Sequence, residues 1–107
     1  MTEGTLVYLF RDNQILLAMK KRGFGVGKWN GVGGKLQAGE TFLQAAMRET
    51  KEEIEVDVTL GEPHGLIHFH DASSEWFIHV FRSTTFRGEP KETEAMRQEW
   101  YGSGEVQ

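Results

Sequence analysis

The 107-residue sequence contains no cysteine, which excludes a disulfide scaffold, a thiolate metal site and a cysteine nucleophile. No apolar run approaches the ~20 residues needed to span a bilayer, and Met1-Thr2-Glu3-Gly4 has neither the basic nor the apolar region of a signal peptide. A cytoplasmic protein without membrane contact is the expectation. There is no basic excess either: the formal net charge is -4, which argues against a binder of nucleic-acid polymer. The length supports one small domain over residues 1–107, and a domain of this size has little stability in reserve if a packing layer is lost.

Acids are missing from residues 20–39, where Lys20, Lys21, Arg22, Lys28 and Lys35 supply five of the twelve lysines and arginines. Residues 40–57 reverse the sign with six acids (Glu40, Glu49, Glu52, Glu53, Glu55 and Asp57) against Arg48 and Lys51. A cationic loop followed by an anionic segment suits a site that holds a polyanion together with divalent cations. Two solvated surfaces of opposite charge are the plainer alternative. Residues 20–34 also carry six glycines and no proline, too many for the interior of an element, so a loop there turns and lets its backbone approach something closely.

Around that loop the patterning is that of an α/β protein. Thr5–Phe10 and Ile15–Met19, separated by polar Arg11–Gln14, read as a hairpin of buried strands. Short extended pieces fit near Gly31–Val32 and Leu36–Ala38. Thr41 followed by Gln44 matches a capping box and opens a helix over about residues 41–54. At ~100° per residue its apolar arc comprises Leu43, Ala46, Met47, Thr50 and Ile54. Glu49, Glu52 and Glu53 share the neighbouring arc, where the three carboxylates can converge. Beyond it, Val56 and Val58 alternate with polar residues, Leu66–His70 is extended, and Glu75–Phe86 forms a strand with alternating faces that is expected to be covered on both sides. A short strand near Met96–Tyr101 follows a polar loop.

Several motifs fail on counting. Lys35 lacks both the first glycine and the hydroxyl residue of a P-loop, since Trp29 and Leu36 stand there. The dinucleotide spacing runs from Gly25 and Gly27 to Asn30, or from Gly31 and Gly33 to Leu36, not to glycine. His68 and His70 share a strand face, but no third metal ligand accompanies them.

The pattern that does fit is Gly34, Glu40, then Arg48-Glu49-Thr50-Lys51-Glu52-Glu53-Ile54-Glu55-Val56. It resembles the Nudix box, Gly-x5-Glu-x7-Arg-Glu-U-x-Glu-Glu-x-Gly-U with U aliphatic, and departs from it at Thr50 and Glu55. Thr50 is tolerable, because its hydroxyl can bond a carbonyl one turn back. Glu55 stands where glycine ends the helix, which costs a residue with a Cβ on the order of 1 kcal/mol. The clustered glutamates lie at the negative end of their helix, where each anion is disfavoured by ~0.3–1 kcal/mol. A hard cation such as Mg²⁺ would offset that cost.

Met19–Gly25, Lys28–Gly31, Gly33–Lys35, Gly39–Thr41, His79–Phe81, Met96-Arg97 and Trp100 extend the resemblance to the MutT-type branch of the family. That branch hydrolyses oxidised purine nucleoside triphosphates, such as 8-oxo-dGTP, to monophosphate and pyrophosphate with Mg²⁺. The resemblance implies a Nudix fold, a mixed β-sheet with one helix packed on it. It implies that Glu49, Glu52, Glu53 and the Gly33 carbonyl bind Mg²⁺ (Mn²⁺ being the alternative), and that Glu52 or Glu53 deprotonates water. Arg48 would orient a carboxylate and Lys20 would contact phosphate. Asn30 would bond the base, with Thr5, Phe24, Phe69 and Trp76 lining its pocket.

Ala95 replaces a glutamate usual before Met96, which implies slow turnover unless Glu92 or Glu94 substitutes. The helix that covers the sheet in this branch is expected to be missing, leaving an apolar face suited to a homodimer. The competing functions are a Nudix hydrolase of another nucleoside diphosphate derivative and a weakly active nucleotide-binding or dimer-forming fragment.

Overall fold

A computed structural model describes residues 2–21, 29–70, 72–93 and 96–102. Strands β1 (Thr2–Arg11) and β2 (Gln14–Lys20) are joined by Asp12 and Asn13, whose φ angles of 51° and 62° give the two-residue turn that matches strand twist. The expected hairpin is shorter than the sequence suggests. Strands β1 and β2 pair at Phe10↔Ile15 and Arg11↔Gln14, after which the segment after β3 (Trp29–Asn30) takes over that edge of β1 through bridges at Val7↔Val32 and Gly4↔Lys35.

The other edge of β1 pairs in parallel with β6 (Glu75–Ser83), which pairs antiparallel with β5 (Gly65–His70). Strand β8 (Met96–Gly102) lies antiparallel along β2, completing a mixed six-stranded sheet. Asp57–Val58 (β4) and Phe86–Arg87 (β7) make a separate two-stranded piece.

Helix α1 (Phe42–Ile54) begins as expected. The Thr41 hydroxyl accepts the Gln44 amide at 3.1 Å and the Gln44 side chain accepts the Thr41 amide at 3.0 Å. Thr50 is fully buried and donates to the Ala46 carbonyl at 2.7 Å. The buried arc, however, comprises Ala45, Ala46, Thr50, Glu53 and Ile54, while Leu43 and Met47 are 38% and 43% exposed. The helix is rotated toward its glutamate side, because that side leans on the glycine segment beside β1.

The helix ends at Glu55, whose φ of 61° and ψ of 38° put a side-chain-bearing residue in the left-handed conformation that the glycine would take. Glu55→Gly is therefore expected to stabilise the protein by about 1 kcal/mol. A domain of this size would show it as a rise of roughly 4–8 °C in thermal melting.

Val7, Leu9, Leu16, Val32, Ile54 and Phe81 centre the core between sheet and helix. Strand β6 is not covered on both sides as expected. Phe81 is buried, but Trp76–Val80 are half-buried, with His79 stacked on Phe42 on the helix side. Leu66 and Ile67 on β5 are 56% and 46% exposed. Among the described residues there is one helix, and none is long and apolar enough to cross a membrane.

Candidate active site

The site is built where the glycine segment touches both β1 and α1. Val7 and Val32 exchange backbone bonds of 2.6 and 2.9 Å, Thr5 N donates to the Gly34 carbonyl at 2.9 Å, and Leu36 N donates to the Glu3 carbonyl at 3.1 Å. Between them Gly33 lies so close to β1 that a Cβ there would sit 1.8 Å from the Thr5 carbonyl oxygen. A Cβ on Gly34 would lie 2.9 Å from the Glu49 carboxylate, so that carboxylate rests on the glycine backbone. The Gly33 carbonyl takes no backbone hydrogen bond among the described residues.

Arg48 organises the acids. Its Nε and Nη2 hold both oxygens of Glu40 at 2.6 and 2.9 Å, and its Nη1 reaches Glu49 Oε1 at 2.8 Å and Glu52 Oε2 at 3.1 Å. Nη2 also donates to the Lys35 carbonyl at 3.1 Å, tying the helix to the loop. A planar five-donor fork suits this task better than an ammonium would.

Arg48 holds the Glu40 carboxyl below its ordinary value of 4.5, helped by the Gln37 amide. The lowered folded value means that Glu40 contributes stability above the ordinary carboxylate range and loses it as the pH falls through that lower value. Glu40→Gln is expected to flatten the fall in melting temperature between about pH 5 and about pH 3; melts across that range would check it.

The end of the helix is held from outside. The Thr93 hydroxyl donates to the Glu53 carbonyl at 2.8 Å and Lys91 N to the Ile54 carbonyl at 3.0 Å, satisfying two of the last-turn carbonyls. Glu53 is 8% exposed, whereas the Glu52 side chain is 57% exposed.

The sequence expects Glu49, Glu52 and Glu53 to converge. No three His, Cys, Asp or Glu groups form a cation-sized cluster among the described residues, because Glu49 and Glu52 each turn one oxygen to Arg48. Their other oxygens lie outside those bonds. Carboxylate and carbonyl oxygens are the donor chemistry that suits a hard divalent cation, so the residue types fit one although the three carboxylates are not gathered.

The pocket residues are less united. Thr5 is 2% exposed, and its buried hydroxyl has no hydrogen-bond partner among the described residues. Register pairs Thr5 with His79, on the helix side, and Trp76 lies on the opposite face of β6, so the two do not line one surface. Asn30 is exposed on β3. Phe24, Glu94 and Ala95, and the side chains of Lys20 and Phe69, lie outside the described residues. Glu92 is ion-paired with Lys21, which lowers its pKa. His68 pairs with Glu75 at 2.9 Å. Glu40, Thr93 and Tyr8, which contacts Asn30, are not among the site residues that sequence reasoning picks out.

The NUDIX domain profile matches residues 2–106. This chain belongs to the Nudix family. Among its relatives, the zebrafish (Danio rerio) protein named oxidized purine nucleoside triphosphate hydrolase is 46% identical over 99 residues, covering 91% of this chain and 64% of the relative. The mouse (Mus musculus) protein of that name is 42% identical with the same coverage. This Nudix chain thus spans about two thirds of the length of these relatives, at 64%. The MutT Nudix hydrolase structure from Burkholderia pseudomallei superposes with a TM-score of 0.85 at 27% identity, over 94% of this chain and 82% of that one. The mixed sheet with one packed helix is the Nudix fold.

Proposed function

We propose that this Nudix chain hydrolyses oxidised purine nucleoside triphosphates to the monophosphate and pyrophosphate, with Mg²⁺ as the cation, in sanitation of the nucleotide pool. The observation that carries the reading is the Glu49 carboxylate resting on Gly34, beside the Gly33 carbonyl and on the helix that bears Glu52 and Glu53. The names of the zebrafish and mouse relatives supply the substrate class.

When bound, the cation would neutralise charge on the phosphoryl oxygens. Glu49, Glu52, Glu53 and the Gly33 carbonyl would hold it. A carboxylate of Glu52 or Glu53 would accept a proton from water while the water oxygen bonds to phosphorus and the bridging bond to pyrophosphate breaks. Lys20 would hold phosphate, and Asn30, with Phe24, Phe69 and Trp76, would hold the base. Thr5, lying on the helix side, would support the strand beneath them. Arg48 keeps Glu49 oriented throughout.

The cytoplasm is the compartment that goes with this reading, and self-association through the sheet face away from the helix, where exposed Ile67 lies beside Ile78, is the partner reading. Sedimentation at low micromolar concentration would show a monomer if that association does not occur. Phosphorus NMR of products from 8-oxo-dGTP, 2-hydroxy-dATP and normal triphosphates with Mg²⁺ tests reaction and substrate together. Release of inorganic phosphate alone, or no turnover, would sink the proposal.

A further inference from the structure

We propose that Tyr8 is a specificity-determining residue: it locks the Asn30 amide with its NH₂ group outward, so that the site takes purines with a 6-oxo group over those with a 6-amino group. This rests on the proposed role of Asn30 in holding the base.

Asn30 Oδ1 accepts the backbone amide of Gly31 at 2.9 Å. A backbone N–H only donates, so the side-chain atom facing it is the oxygen, and the orientation of the amide is settled. The Tyr8 hydroxyl donates to that same oxygen. A carbonyl oxygen has two lone pairs, and both are now engaged. What Asn30 can still offer is the pair of N–H donors on Nδ2, and its side chain is exposed to offer them.

Tyr8 is itself held in place. Its ring packs on Gly31, where a Cβ would lie 3.0 Å from Cζ and 3.1 Å from Cε2, so glycine there makes room for the ring. Burial pushes the Tyr8 phenol up, with the Gly31 amide pulling more weakly the other way, so the hydroxyl keeps the proton it donates. Tyr8 alternates with buried Val7 and Leu9 and so lies on the face of β1 away from the helix.

The consequence is a matter of donors and acceptors. A 6-oxo group accepts the Asn30 N–H, whereas a 6-amino group turns donor against donor. An unlocked asparagine could turn its amide to suit either, but Tyr8 and Gly31 together hold the oxygen inward.

The probes are 8-oxo-dIMP and 8-oxo-dAMP, which differ at the C6 group and the N1 proton, titrated calorimetrically into the full chain without metal. The wild type is expected to favour 8-oxo-dIMP by roughly 10-fold. Tyr8→Phe keeps the ring on Gly31 and frees one lone pair of Asn30, so the preference should narrow by roughly 3- to 10-fold, mainly through tighter 8-oxo-dAMP. A general loss of structure would weaken both ligands alike and leave the ratio unmoved, whereas Tyr8→Leu, which also lacks the hydroxyl, should narrow the ratio as Tyr8→Phe does.

An unchanged ratio in Tyr8→Phe overturns the proposal, as does a wild type that binds both equally or neither. A wild type that shows the binding preference yet hydrolyses no triphosphate would overturn the hydrolase reading and leave the Tyr8 lock standing.

Discussion

Glu53→Gln is expected to lower pyrophosphate release by about 10²–10⁴-fold, the range that a positioned acid–base group supplies. Glutamine keeps the volume of a residue that is 8% exposed, so the melting temperature should stay within a few degrees of wild type. The backbone is pinned as well, since the Thr93 hydroxyl bonds the Glu53 carbonyl. Charge is thus removed from the proposed cation and proton site with little else disturbed. Glu52→Gln is the informative partner, because Glu52 is exposed and shared with Arg48. If Glu53→Gln retains full turnover by phosphorus NMR while Glu52→Gln does not, the proton passes through Glu52. If both retain it, the metal and base assignments to these residues fail.

The helix was legible in the sequence because its determinants are local. Thr41 and Gln44 meet across one turn, and Thr50 bonds within its own helix. The rotation of that helix was not, because hydrophobic patterning assigns Leu43 and Met47 inward and Glu53 outward, and the structure does the reverse. A buried carboxylate violates the pattern in the way that sites often do. Arg48 was legible as a partner for the box acids, but its grip on Glu40 needs the loop from Lys35 to Glu40 to fold back on the helix. The Tyr8 contact with Asn30 depends on residues 29–36 displacing β2 from the edge of β1, a long-range event that no local pattern announces. Asn30 itself came from family resemblance, because asparagine beside glycine ordinarily means a turn.

That displacement makes Gly33 the position where a single methyl group should do the most structural harm. In Gly33→Ala the new Cβ would lie 1.8 Å from the Thr5 carbonyl oxygen, 2.6 Å from its carbon and 3.0 Å from Leu6 Cα. All three are backbone atoms, which no rotamer change can move aside. Relief requires residues 31–36 to lift from β1, stretching the Val7–Val32 pair and the Thr5 bond to Gly34, and unseating Glu49 from the Gly34 backbone. The upper range for overpacking plus the strained hydrogen bonds gives at least about 3 kcal/mol of destabilisation. At roughly 4–8 °C per kcal/mol, that is a fall of at least about 12 °C in melting temperature. Gly39→Ala provides the contrast. Its φ of +83° strains an alanine, but nothing lies within 4 Å of the added carbon, so its cost is confined to about 1 kcal/mol. If the two variants melt together, the close approach at Gly33 does not hold in solution, and the placement of its carbonyl beside the glutamates falls with it.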